Sequence, residues 1–113
     1  ASTGAVSGTT ITGTGDLTVT TGDLIANTAG KGLKVKEGAN ARMGVLTLTG
    51  ATPVAVATTA VTANSRIFLT TQDPNGGTPT FCYVTSRIAG TSFTVQGVAL
   101  DASIVAWLIV EPA

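Results

Sequence analysis

The sequence predicts an all-β protein, because its apolar residues are mostly small or β-branched and occur in short alternating segments. Thr, Gly, Ala and Val dominate the 113 residues, whereas only 4% are aromatic and 11% are charged. Such side chains pack well on pleated sheets. Turn-forming residues separate the segments, and no helical period is present. We predict a short strand-rich stem, residues 1–43, followed by a β-sandwich or jelly-roll-like head, residues 44–113.

The predicted stem contains a short, imperfect repeat. Residues 15–19, 22–25 and 32–35 each combine a Gly-containing turn with a brief apolar segment. One unit has too few apolar side chains to bury anything alone, but stacking or association with other copies would allow a closed interior. A flexible Gly/Thr-rich linker is the alternative. The side chains predicted to point toward a shared axis are Leu17, Val19, Leu24, Ile25, Leu33 and Val35.

The predicted head has longer alternating segments with clear turns between them. The Asn75–Gly76 pair supplies the positive φ angles that a tight reversal requires. Strands at this spacing are typical of a sandwich or jelly roll. The strands are predicted at residues 45–49, 54–58, 66–71, 80–86, 92–96 and 104–110.

The last predicted strand, residues 104–110, is apolar on both faces. A strand in a half-solvated antiparallel sheet alternates, and an exposed edge of this kind promotes aggregation. We therefore expect one face to meet the core of the head and the other to meet a neighbouring subunit. A central strand of a monomeric sandwich is the alternative. The core or interface residues predicted here are Ile104, Val105, Trp107, Leu108 and Ile109.

The composition argues against several classes of function. The chain has no His and one Cys, and its six acidic residues fall in different turns or termini. These features predict no enzymatic activity, no metal site and no cofactor. A net charge of zero argues against nucleic acid. No apolar run approaches the roughly 20 residues that would insert into a membrane.

The aromatic residues raise the question of sugar binding. Phe81, Tyr83, Phe93 and Trp107 lie among apolar neighbours, so the sequence predicts core packing for all four. Stacking faces for a glycan are the alternative. We expect any receptor contact to fall on the loops at residues 73–79 or 96–102, because loops carry binding residues more often than strands do.

Four segments carry a resemblance to a known family: 22–38 (GDLIANTAGKGLKVKEG), 62–70 (TANSRIFLT), 89–95 (AGTSFTV) and 103–112 (SIVAWLIVEP). Together they resemble a C-terminal module of bacteriophage tail-fibre and tailspike proteins and of structural proteins from large algal viruses. This resemblance implies a homotrimer with a narrow β-structured stem and a sandwich head at the end of the fibre. In that family, lyase or hydrolase activity resides in a larger β-helical body, which this chain is too short to contain. No receptor residue is carried over.

The resemblance implies a structural role in a virion that is assembled in the host cytoplasm. The leading hypothesis is a trimerisation domain that stabilises the end of a fibre or spike. A head that recognises a host cell-surface glycan is the alternative. We interpret Asp16 and Asp23 as turn formers. The alternative is that a threefold axis brings copies of one of them together to hold a cation.

Overall fold

The computed structural model describes residue 8 and residues 10–113. The chain divides into two compact units, Ala1–Leu33 and Lys34–Ala113. Residues 1–7 and 9 of the predicted stem lie outside the described residues. The boundary between stem and head that the sequence predicts, after residue 43, stays a prediction.

Residues 10–42 contain turns but no strand. The backbone bends near residues 14–15, 21–22, 28–30 and 38–40, with extended stretches between these bends. The amide of Lys31 donates a hydrogen bond to the carbonyl of Thr28 at 3.0 Å, which closes one of the bends. The short strands predicted for the stem are therefore not formed within the single chain.

The second unit is all-β, with six strands and no helix among the described residues. Each strand overlaps one of the six segments predicted from the sequence, and two of them match the predicted bounds in full. They are β1 (Met43–Thr47), β2 (Val54–Ala57), β3 (Arg66–Asp73), β4 (Tyr83–Ile88), β5 (Ser92–Gln96) and β6 (Ile104–Val110).

The strands form two antiparallel sheets of three strands each. The first sheet has the order β1-β6-β3 and the second has the order β2-β5-β4. Only the link between β4 and β5 stays within a sheet; every other link between consecutive strands passes to the opposite sheet. Repeated crossing of this kind is typical of a jelly roll.

The two sheets share one core. Phe93 of β5 meets Trp107 of β6 edge to face, with ring centroids 5.2 Å apart and an interplanar angle of 74°. This arrangement suits the quadrupoles of the two rings. The other buried apolar side chains come from both sheets and from the adjoining loops: Leu46, Leu48, Val61, Val95, Val105 and Ile109.

Gly44 explains how the indole fits between the strands. It lies directly opposite Trp107 in the β1–β6 register. A Cβ atom at this position would lie 2.8 Å from Cζ2 of Trp107, closer than real carbon contacts. The absence of a side chain at residue 44 therefore leaves the space that the ring occupies.

Asn75 and Gly76 adopt the positive φ angles predicted for them, 48° and 75°. The reversal does not join paired strands, however, since β3 belongs to the first sheet and β4 to the second. The turn instead redirects the chain across the sandwich-like head.

Candidate functional site

The outward face of the first sheet, which we call the apolar face, is formed by residues whose side chains share one side of β1, β6 and β3. Met43, Leu108 and Phe68 lie in one row across the three strands, since Leu108 pairs with both of the others. The adjacent row places Val45 and Ala106 side by side. Directly opposed residues of an antiparallel pair project to the same face.

Much of the apolar face is open to solvent. Val45 is 62% exposed and Phe68 is 59% exposed, although each lies within a strand. Leu108, Ala106 and Ile104 are half-buried in the middle of the face. A contiguous exposed apolar patch of this kind marks a surface for association.

The outward face of the second sheet, which we call the hydroxyl face, has a different chemistry. Tyr83 opposes Gln96, and Ser86 opposes Thr94. Thr94 is flanked on its other side by Ala55. The hydroxyl oxygens of Ser86 and Thr94 lie 2.7 Å apart, and the Thr85 hydroxyl also contacts that of Thr94. This face therefore offers hydrogen-bonding groups where the first sheet offers hydrocarbon.

An aromatic pair lies at one end of the hydroxyl face. Phe81 and Tyr83 are stacked, with ring centroids 6.3 Å apart and an interplanar angle of 26°. Phe81 is 70% exposed and Tyr83 is 46% exposed, whereas Phe93 and Trp107 are buried. The prediction of core packing was therefore wrong for Phe81 and Tyr83. Both lie on the edge strand β4 or just before it, where the sequence alone did not indicate the lack of a covering layer.

A match to a protein family comes from this second unit. The family model described as K1 capsule-specific polysaccharide lyase, C-terminal domain, matches residues 40–110, more than half of the chain. The chain belongs to this family. Neither a curated protein nor a solved structure matches the chain.

Membership of the K1 lyase C-terminal domain family supports the predicted resemblance to a C-terminal module of phage tailspikes. The module corresponds to the non-catalytic end of a tailspike lyase and implies a virion-associated structural protein. The resemblance to proteins of algal viruses stays a prediction. No helix among the described residues is long and apolar enough to cross a membrane.

The residues of this chain that were predicted as core or interface have three kinds of environment. The sequence left open which face of β6 meets the core, and the structure assigns that role to Val105, Trp107 and Ile109, which are buried. Ile104 and Leu108 are half-buried on the opposite, apolar face, and Val35 is also half-buried. The stem residues that are exposed in the single chain are Leu17, Val19, Leu24, Ile25 and Leu33.

The two loops predicted for receptor contact are joined to each other. The amide of Thr78 donates to the carbonyl of Leu100 at 2.8 Å. The side-chain amide of Asn75 donates to the carbonyl of Ala102 at 3.1 Å. Leu100 has a φ of 73° and is 80% exposed. A left-handed Leu is uncommon, and it persists here within a loop that the surrounding hydrogen bonds hold in place.

Asp101 holds the same loops together from inside the domain. Its side chain accepts hydrogen bonds from the amide and the hydroxyl of Thr80, at 2.9 and 3.1 Å. It also accepts from the amide and the hydroxyl of Ser103, at 3.0 and 2.5 Å. Bonds from the Ser103 hydroxyl and the Thr80 amide lower the pKa of Asp101 to about 2. In the sequence, Asp101 is only one of six scattered carboxylates, and its role in joining the loops was not predicted.

Glu111 has a similar role at the C-terminal end of the domain. It accepts hydrogen bonds from the Ser65 hydroxyl, from the Thr62 hydroxyl at 2.8 Å and from Arg42 at 3.4 Å. The Ser65 hydroxyl contributes most to lowering the pKa of Glu111. Among the described residues, no three His, Cys, Asp or Glu side chains are grouped so that they would hold a metal ion.

We expect the stability of the domain to fall as the pH decreases from about 4 to about 2. The folded-state pKa of Asp101 is about 2, below its ordinary value of 3.8, so its stabilising effect is present above pH 4 and is lost through that window. The pKa of Glu111 is also lowered in the folded domain, so its stabilising effect is likewise lost as the pH falls. Thermal melting followed by circular dichroism at stepped pH measures the effect.

Asp101→Asn tests whether Asp101 contributes to this pH dependence. An amide cannot accept from all four donors, so the variant should melt lower at pH 7 and lose less stability between pH 4 and pH 2. Glu37→Gln, at an exposed position, is the matched control and should follow the unmodified protein. Parallel curves for Asp101→Asn and the unmodified protein would contradict the assignment.

Proposed function

We propose that this chain is a trimer-forming domain that stabilises the end of a viral or phage fibre or spike. The apolar face is the observation that carries the proposal. Val45 and Phe68 expose hydrocarbon on either side of the central strand β6. Burial of such a surface between copies of the chain would recover about 25 cal/mol for each Å² of apolar area removed from water.

The contrast between the two sheets supports copies of this chain as the occupant of the apolar face. A domain that required no partner would be expected to have polar side chains on both outward faces, as the hydroxyl face has. The low charge of the chain, 11%, also suits a protein whose surface is partly covered by its own copies. The exposed apolar residues of the stem would be covered in the same assembly.

The family supports the setting of this assembly. Its name describes the C-terminal domain of a capsule-specific polysaccharide lyase, and tailspikes of this type are parts of virions. Assembly in the host cytoplasm agrees with the single Cys82, which forms no disulfide and is half-buried. We propose no enzymatic activity for this domain.

We expect Val45→Lys to convert the trimer into monomers, because burying the lysine charge on the apolar face without a countercharge would be costly. Light scattering coupled to size-exclusion chromatography of the full chain measures the mass. Ala55→Lys is the matched control, since Ala55 is an exposed strand residue that opposes Thr94 on the hydroxyl face. A monodisperse monomer for the unmodified chain would refute the proposal. A Val45→Lys trimer would exclude the apolar face as the interface.

A second candidate function is recognition of a host cell-surface glycan. The observation that favours it is the solvent exposure of the stacked Phe81–Tyr83 pair, which the core of the domain does not use. The match to a domain of a polysaccharide lyase is consistent with a glycan-rich target. Binding of saccharides by the purified chain tests this function.

A further inference from the structure

The Phe81–Tyr83 pair presents an aromatic surface to solvent rather than to the core. Exposure of 70% for Phe81 leaves most of an apolar ring in water, and its stacking on Tyr83 covers only part of it. The face of an aromatic ring is electron-rich and attracts the weakly positive C–H groups of an apolar partner. The C–H face of a pyranose ring has this character and a matching size.

Hydrogen-bonding groups extend from the aromatic pair along the same side of the sheet. Gln96 lies opposite Tyr83, and Thr94 lies opposite Ser86, so their side chains share the hydroxyl face. Hydroxyl groups both donate and accept hydrogen bonds, and the Gln96 side-chain amide does the same. A sugar ring needs this combination, because its hydroxyl groups lie at the edge of the ring and its C–H groups on the faces.

The hydroxyl face carries no charged side chain among its register positions. Arg87, the nearest basic residue on β4, pairs instead with the buried Phe93. Its Nε donates to the carbonyl of Ser65 at 2.9 Å, which directs the guanidinium group away from the hydroxyl face. The register positions on the face are Ala55, Ala57, Tyr83, Ser86, Ile88, Ser92, Thr94 and Gln96. A neutral ligand therefore fits this face better than a strongly anionic one.

We propose that the hydroxyl face is a binding site for neutral pyranose saccharides. One sugar ring stacks on the exposed surface of Phe81 and Tyr83, and the following units receive hydrogen bonds from Gln96, Thr94 and Ser86. The proposal rests on the second candidate function and gives it a location. It differs from the expectation that receptor contact falls on the loops at residues 73–79 or 96–102, which stays a prediction and shares only Gln96 with the proposed site.

A further copy of this chain is a less suitable occupant of the hydroxyl face. A dry protein interface would have to supply hydrogen-bond partners for the Gln96 side-chain amide and the Tyr83 hydroxyl, because a buried polar group without one is costly. The hydroxyl groups of Thr85, Ser86 and Thr94 already contact one another. The outward face of the first sheet carries Thr47, Thr70 and Arg66 toward its margins, but hydrocarbon side chains occupy the row through Leu108 and the positions of Val45 and Ala106, which need no hydrogen-bond partner. The two faces therefore suit different partners.

The test is an array of bacterial capsular and O-antigen saccharides, both neutral and acidic, probed with the unmodified 113-residue chain. Calorimetry with the strongest neutral oligosaccharide then compares variants. Phe81→Ala and Tyr83→Ala should each weaken binding by at least about tenfold. Leu100→Asn is the matched control, because Leu100 is an apolar residue at least as exposed as Phe81 and Tyr83, and Asn tolerates its positive φ. This variant should bind as the unmodified chain does.

Four other results would each overturn the proposal, and the experiment distinguishes between them. The absence of binding to any saccharide would refute both the glycan function and the site. Binding only to acidic saccharides would refute the neutral ligand class. Unchanged binding in both aromatic variants, with loss in Leu100→Asn, would keep the function and move the site to the loops. A reduced molecular mass of the aromatic variants by light scattering would identify the aromatic pair as a subunit contact.

Discussion

Trp107→Ala is expected to destabilise each chain by about 3–5 kcal/mol, the range for loss of a large side chain from a core. Trp107 is only 6% exposed and joins the two sheets through its contact with Phe93. Domains of this size are stable by roughly 5–15 kcal/mol, so the loss would be a large part of the total. In a trimer three copies change together, and we expect failure to assemble. Denaturation followed by circular dichroism and light scattering measure both effects.

Two further variants separate loss of packing from other causes. The Nε1 of Trp107 is buried and has no hydrogen-bond partner among the described residues. Trp107→Phe therefore removes an unpaired donor as well as ring volume, and it should cost less than Trp107→Ala. Gly44→Ala should be destabilising by about 1–3 kcal/mol, because its Cβ would overlap the indole.

The Gly44→Ala cost should shrink in a Trp107→Phe background, since the smaller ring vacates the space. In the unmodified protein, the tryptophan emission should be blue-shifted and weakly quenched by iodide. A Trp107→Ala chain with an unchanged melting curve would contradict the packing role. Red emission that iodide quenches readily would contradict the buried environment.

Deletion of residues 1–36 is expected to lower the melting temperature by more than about 10 °C, given a shift of roughly 4–8 °C for each kcal/mol in a domain this small. The stem exposes Leu17, Leu24 and Leu33 in the single chain. In a trimer these side chains would be covered by the other copies, and their burial would stabilise the assembly. The head has its own core, so the truncated chain should still fold.

The triple variant Leu17→Ser, Leu24→Ser and Leu33→Ser keeps the length of the stem and removes only its apolar contacts. It should reproduce most of the effect of the deletion. Replacement of the exposed Lys31, Lys34 and Lys36 by Ser is the matched control and should have little effect. An unchanged melting curve for the deletion would show that the stem is a linker, the alternative that its composition leaves open.

Local pattern was sufficient to locate the strands of the head. Residues 92–96 and 104–110 are strands with the predicted bounds, and Asn75–Gly76 forms the predicted turn. These features depend on side-chain alternation and on backbone preferences over a few residues, which the sequence states directly. The same pattern did not locate strands in the stem, because a strand requires a partner and residues 10–42 of the single chain contain none.

The pairing of strands was decided only by the tertiary structure. β6 lies between β1 and β3 and pairs with segments that are distant in the sequence. Many strands here have compatible apolar patterns, so the choice of neighbours depends on how the whole core packs. This choice also selected Val105, Trp107 and Ile109 as the inner face of β6.

The candidate surfaces depend on the same long-range choices. Alternation shows that Val45 and Phe68 each share a strand face with their second neighbours. Only the strand register places both residues on the same face of the sheet, on either side of β6. Phe81 and Tyr83 lie among apolar residues in the sequence, yet no layer covers them in the fold. Asp101 acquires its two donors from Thr80 only when the loops meet, whereas its two donors from Ser103 are local in the sequence. The sequence by itself determined the strands and turns, because these depend on neighbouring residues; the tertiary structure decided which side chains are buried, because burial depends on residues far along the chain.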